Sequence, residues 1–205
     1  YLASMGIYIF KRRIMKKLFD DNPEATDFGK EIIPKAINEG YRVASYQYGG
    51  YWEDIGTIRS FFDANIELTD SIPRFNLFDN RNRIYTRPRM LAPSKIYNTR
   101  INRAIIAEGC IILADAVERS VIGIRARVGE GSTVKNSIIM GNDYFETLEE
   151  IVYSSGEPSM GVGNNCYIEQ AILDKDCRVG NHVTIVGGDD LEDEETDSYY
   201  IRDGV

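Results

Sequence analysis

From about residue 105 onward, aliphatic side chains return close to every sixth position. Ile122-Gly123, Val128-Gly129 and Val134-Lys135 open consecutive six-residue units, Val162-Gly163 leads by six to Ile168, and Leu173, Val179-Gly180 and Ile185 continue the pattern with occasional steps of five. An aliphatic residue at this spacing, often followed by Gly, predicts a parallel β-helix with short flat faces and tight turns, its inward residues stacked one coil upon the next. Residues 140–161, MGNDYFETLEEIVYSSGEPSMG, break the period and are expected to project as a loop, where function tends to collect.

The first third of the chain is patterned differently. YLASMGIYIF reads as a continuous apolar strand buried on both faces, and KRRIMKKLFDD as a helix with Ile14, Met15, Leu18 and Phe19 on one side. In TDFGKEIIPKAINEG, Asp27 can cap a short helix that Pro34 limits or restarts and Gly40 ends. YRVASYQY reads as a further strand, and Thr57 as the N-cap of a helix carrying Ile58, Phe61, Phe62 and Asn65 on one stripe. Residues 71–103 contain Pro73, Pro88 and Pro93 without a sustained period, which predicts an extended connector. The expected organisation is thus a mixed α/β piece over 1–70, a connector over 71–103 and a β-helix over 104–205.

Composition narrows the class. A chain of 205 residues with 43% hydrophobic and 27% charged residues can bury a core, and no apolar run approaches the length that spans a bilayer. The first residues lack a signal-peptide pattern, so a protein of the cell interior with no membrane partner is expected. A formal charge of −8 opposes general nucleic-acid binding. That charge is uneven: residues 71–103 carry eight Lys/Arg against the single acid Asp79, while DDLEDEETD at 189–197 reads as a solvated acidic loop. The chain opens without Met inside an apolar run and stops at YYIRDGV, another strand-like run, so both ends are expected to lie inside a longer protein.

Cys110, Cys166 and Cys177 have no CxxC spacing, and His182 is the only histidine, which removes most zinc arrangements. Each cysteine lies four positions after a repeat aliphatic, Ile106, Val162 or Leu173, where a small inward side chain is wanted. All three therefore read as packing residues.

Two stretches could carry chemistry. In SMGIY, Ser4 and Tyr8 would share a strand face and present hydroxyls to a polar ligand. In GGYWEDIGT, Asp54 beside the only tryptophan, Trp52, and just before a helix could hold a divalent cation through its carboxylate. The competing reading makes Asp54 a helix cap and Trp52 a core filler.

Taken in order, YLASMGIYIF, TDFGKEIIPKAI, YWEDIGTIRSFFDAN, IYTRPRMLAPSK and the hexapeptide repeats resemble the ADP-glucose pyrophosphorylase family over nearly the whole chain. The resemblance implies α/β plus β architecture: the end of a Rossmann-like nucleotidyltransferase domain followed by a left-handed parallel β-helix. It implies ATP and glucose 1-phosphate as substrates, Mg2+ as cofactor, and a homo- or heterotetramer acting in glycogen or starch synthesis, in the cytoplasm or alternatively a plastid. Carried over by motif, Ser4, Tyr8, Asp27, Phe28 and Trp52 line the glucose 1-phosphate pocket, and Asp54 is the magnesium ligand. Arg87 and Arg89 of the connector, with Asp174 and Lys175 of ILDKDCRVG, match a site for phosphate or a phosphorylated metabolite. Arg87 and Arg89 are expected on one side of an extended Arg-Pro-Arg segment. The family's glycine-rich nucleotide loop, its sugar-phosphate lysine and its other metal-binding aspartate would precede Tyr1, so this polypeptide alone is expected to be inactive. A second effector lysine would follow Val205. Two other readings stay open: a non-catalytic regulatory subunit or paralogue, and a hexapeptide-repeat acyltransferase, for which His182 is the available base.

Overall fold

The computed structural model describes residues 4–153 and 156–205. The chain divides into two compact units, Tyr1–Gly50 and Tyr51–Val205. No helix among the described residues is long and apolar enough to cross a membrane.

In the first unit, α1 (Arg12–Asp20) is followed by a π-helical turn, Phe28–Ile32, that runs directly into α2 (Ile33–Asn38). The sequence sets these limits locally. The Asp27 carboxylate accepts a hydrogen bond from the Lys30 amide at 2.7 Å, Pro34 sits in the first turn of α2, and Gly40 leaves it at φ +80°. Leu18, Ile32 and Ala36 form the core, with Phe10, Ile14, Ala25 and Tyr41 against it.

Neither expected strand of this unit forms. Over 4–10 and 41–48 the backbone is irregular, and Ile9 is 99% exposed. A strand exists through its ladder, and the described residues of the unit supply no neighbour to complete one. Tyr1–Ala3, the start of the first expected strand, lie outside the described residues.

In the second unit, α3 (Ile58–Glu67) begins with a capping box: the Ser60 amide donates to Thr57 Oγ1 and the Thr57 amide to Ser60 Oγ, each at 3.1 Å. Its buried residues are Phe62 and Ile66, whereas Ile58, placed on the stripe by spacing, is exposed.

The remainder is a three-faced parallel β-helix. One face stacks Lys95–Ile96, Ile111–Ile112, Arg127–Val128, Gly161–Val162 and Arg178–Val179. The other two faces form one sheet bent at a corner, where Arg103, Arg119, Asn136 and Gln170 take φ between 42° and 52°. The strands Arg100–Ile106 and Ala116–Ile122 run round that corner and pair along both faces. Register builds three inward columns: Ile112, Val128, Val162, Val179; then Val117, Val134, Ile168, Ile185; then Ile106, Ile122, Ile139, Leu173. Every aliphatic that opens a repeat in the sequence stands in one of them. Pairing already begins at Lys95, inside the stretch read as connector.

Cys110 and Cys166 are buried at the corners, and burial pushes the Cys110 thiol above its usual range. Cys177 is partly buried and shifted the same way. These are the packing positions the period assigned, and the raised thiols leave little thiolate for chemistry.

Val128 pairs directly with Val162, so the intervening insertion leaves the coil and returns to it. It carries the short α4 (Leu148–Tyr153), none of whose side chains is buried. Ser154 and Ser155 lie outside the described residues. α3 lies across the face formed by Val121, Ile138 and Ile172, joining Phe61, Phe62 and Ile66 to them in a second core.

Candidate functional site

The residues of the first unit expected at the sugar end meet. Ser4 Oγ and Tyr8 Oη are 3.0 Å apart, in hydrogen-bonding contact, and the Tyr8 ring stacks on Phe28 at 5.6 Å with 20° between planes. Alternation along a strand does not bring the hydroxyls together. The chain turns at Gly6 (φ +72°), whose amide donates to Ser4 Oγ at 3.3 Å. Phe28 is the hub of an aromatic group, with Phe10 at 5.7 Å and Phe19 edge-on at 5.6 Å. Asp27, next in the chain, is fixed by its cap bond to Lys30 and by Glu31, whose carboxylate accepts from the Thr26 and Asp27 amides, each at 3.2 Å. Gly29 belongs to the same corner: a Cβ there would lie 3.2 Å from the Tyr8 hydroxyl and 3.5 Å from the Asp27 carboxylate. The result is a small exposed surface of two hydroxyls, a carboxylate and an aromatic face. Such a set suits a polyhydroxylated ligand.

The YWED stretch belongs to the second unit. Asp54 Oδ1 accepts from the Gly56 amide at 3.0 Å, closing a tight turn, and the helix cap is Thr57, not Asp54. Trp52 is 44% exposed, so it does not fill core. Arg74 holds the stretch in place. Its guanidinium forks onto Glu67 with two contacts of 2.5 Å, reaches Glu53 at 3.2 Å and lies over the Tyr51 ring at 5.4 Å, while Tyr51 stacks on Phe75. Sequence reasoning missed Arg74, because its partners lie 7 to 23 positions away. Among the described residues no three His, Cys, Asp or Glu side chains cluster as a metal cage. One exposed carboxylate held on a fixed turn does fit magnesium, which keeps several waters and takes one or two carboxylates together with substrate phosphate.

The residues expected at the effector site separate into two groups. Lys175 pairs with Asp143 of the insertion, and this pairing holds the Asp143 carboxyl below the usual carboxylate range, with further contributions from Arg125 and Arg89. Arg125 donates to the Asn142 carbonyl at 3.2 Å and lies over the Phe145 ring at 5.7 Å. Lys175 of the coil pairs with Asp143, Arg125 of the corner lies beside the neighbouring residues of the insertion, and Arg89 of the connector adds a weaker charge effect on the same carboxyl. Arg87 and Asp174 contribute differently. The Arg87 carbonyl accepts from the Arg89 guanidinium at 3.1 Å, so Arg89 folds back onto the backbone of its own segment. The Asp174 carboxylate accepts from the Lys175 amide at 2.7 Å. Arg125 and Asp143 were not singled out from sequence, although the broken period had marked the insertion. His182 stands at a β-helix corner with φ +61°, its amide donating to the Asn164 carbonyl at 2.8 Å, which accounts for it as a turn residue.

Residues 1–71 match the family model "Nucleotidyl transferase", and residues 89–205 match "GLGC left-handed parallel beta-helix domain". A nucleotidyltransferase segment followed by a left-handed parallel β-helix defines the class. Among curated proteins, the chain is 41% identical over 211 residues to the chloroplastic/amyloplastic small subunit of glucose-1-phosphate adenylyltransferase of Triticum aestivum. The match takes in 100% of this chain and 45% of the wheat protein, so the chain spans about half the length of that relative. The chain belongs to the ADP-glucose pyrophosphorylase family.

Proposed function

We propose that the protein containing this chain transfers an adenylyl group from ATP to glucose 1-phosphate, releasing pyrophosphate and forming ADP-glucose for storage-polysaccharide synthesis. The observation that carries this reading is the meeting of Ser4, Tyr8, Asp27 and Phe28 at one exposed corner in a chain 41% identical to a glucose-1-phosphate adenylyltransferase subunit. In this reading the hydroxyls and the Asp27 carboxylate orient the glucosyl ring. Asp54 would hold Mg2+, which when bound would supply positive charge to offset that of the phosphates. Trp52, exposed two residues from Asp54, offers an aromatic wall to the substrate. Such chemistry depends on positioning and charge more than on an acid or a nucleophile.

Control belongs to the β-helix unit in this reading: Arg89 and Lys175 take phosphate or a phosphorylated metabolite, with Arg87 and Asp174 at the margin. The relative's description as a subunit supports assembly into an oligomer, and its plastid location is compatible with a plastid setting as well as a cytoplasmic one.

Pyrophosphate release by the full-length protein, supplied with ATP, glucose 1-phosphate and magnesium, tests the reading. Asp54→Asn is expected to keep the fold, because Thr57 caps the helix, and to lose most turnover across a magnesium titration. Turnover near the parent rate would make Asp54 a turn residue only. A parent without activity that restores activity to a second subunit would favour the regulatory-subunit reading.

A further inference from the structure

Two acidic side chains at the start of the insertion that interrupts the β-helix hold it to the coil in unlike ways. Glu146 is the firm one: its side chain is 4% exposed, pairs with Arg178 at 2.6 Å and accepts from the Met160 amide at 2.8 Å, tying the start of the excursion to its return. Asp143 is the loose one. Its ion pair with Lys175 has both side chains about half exposed, at 56% and 46%. The Asp143 backbone does not depend on that pair, since its amide donates to the Asp176 carboxylate at 2.9 Å and the neighbouring Asn142 amide to the Ile124 carbonyl at 2.8 Å. The carboxylate of Asp143 can therefore leave Lys175 while the turn beneath it stays put.

We propose that Asp143 is a built-in anion, occupying Lys175 while no effector is bound, and that a phosphate-bearing effector enters by displacing it. This rests on the reading of Lys175 as an effector residue. A single carboxylate presents one negative charge to the lysine. A phosphate dianion presents more charge and three acceptor oxygens to the same ammonium, whose three donors rotate freely. Arg125 donates to the carbonyl of Asn142, the residue before Asp143, and lies over the ring of Phe145, so its charge stands close to whatever replaces the carboxylate. A monoanion gains little over the resident carboxylate. The internal acid thus sets both the threshold for binding and a preference for multiply charged ligands.

The test is calorimetric titration of the full-length protein with inorganic phosphate at fixed ionic strength. Lys175→Gln should weaken binding about tenfold. Asp143→Asn should tighten it by roughly three- to fivefold, as expected for an exposed pair, and the gain should vanish in the double variant. Asp174→Asn, which removes an equal charge one residue from Lys175, should tighten binding less than Asp143→Asn. If Lys175→Gln leaves phosphate binding unchanged, the effector reading itself fails. If Lys175→Gln weakens binding while Asp143→Asn leaves it unchanged or weaker, or if Asp174→Asn tightens it equally, the displacement proposal fails and the effector reading stands.

Discussion

Arg74 gathers Tyr51, Glu53 and Glu67 around one guanidinium, so the turn carrying Asp54 is held through its neighbours on both sides. The hydrogen bonds from Arg74 hold the Glu67 carboxyl below its ordinary value. Because the folded-state pKa is lowered, the pair's contribution is fully present above the unfolded value of about 4.3 and is lost as pH falls through the lowered value. Arg74→Ala should therefore reduce thermal stability at pH 7, and the difference from the parent should shrink as pH falls below the ordinary carboxylate range and Glu67 begins to protonate. Equal melting temperatures of parent and variant across that range would leave the fork without weight. The sequence disclosed Asp54 as a candidate because Asp-x-Gly-Thr before an apolar stripe is a local pattern. It could not disclose Arg74, whose neighbours are brought to it by the fold. Ser4 and Tyr8 were paired for the wrong reason: their four-residue spacing suits a strand, but a turn at Gly6 joins them.

At the scale of elements, the β-helix strands are two to seven residues long and hold together through neighbours one coil away. Val128 is almost fully buried between Ile112 and Val162 in a column of aliphatic side chains. Val128→Asp sets an unpaired charge there at a cost of several kcal/mol, about the whole margin of a small domain, so cooperative melting of the unit should be lost. Circular dichroism that melts at the parent temperature would contradict the column. The two expected strands of the first unit show the converse. Their composition favours extension, yet composition alone creates no ladder, and in the structure they are irregular.

For the whole molecule, the insertion comes to Lys175 through Asp143, and Arg89 of the connector contributes to the charge environment of that Asp143 carboxyl. Arg89→Ala in the full-length protein should raise the phosphorylated-effector concentration needed for half effect by about tenfold, the weight of one charge-assisted hydrogen bond. Superimposable effector titrations would reduce the basic stretch to a linker. What the sequence determined by itself was whatever repeats or closes locally: the inward aliphatic residues stacked coil upon coil, the cysteines as packing positions among them, the Asp27 and Thr57 caps and the motifs that tie the chain to its family. A periodic chain names its own packing partners, since each residue meets the one a coil away, and a cap needs only its next three residues. Tertiary structure alone decided that α3 lies on the third face of the β-helix, that Arg74 braces the YWED turn and that Asp143 answers Lys175. Those pairs obey no period, and ion pairs between positions tens of residues apart depend on where the coils and the excursion finally set them.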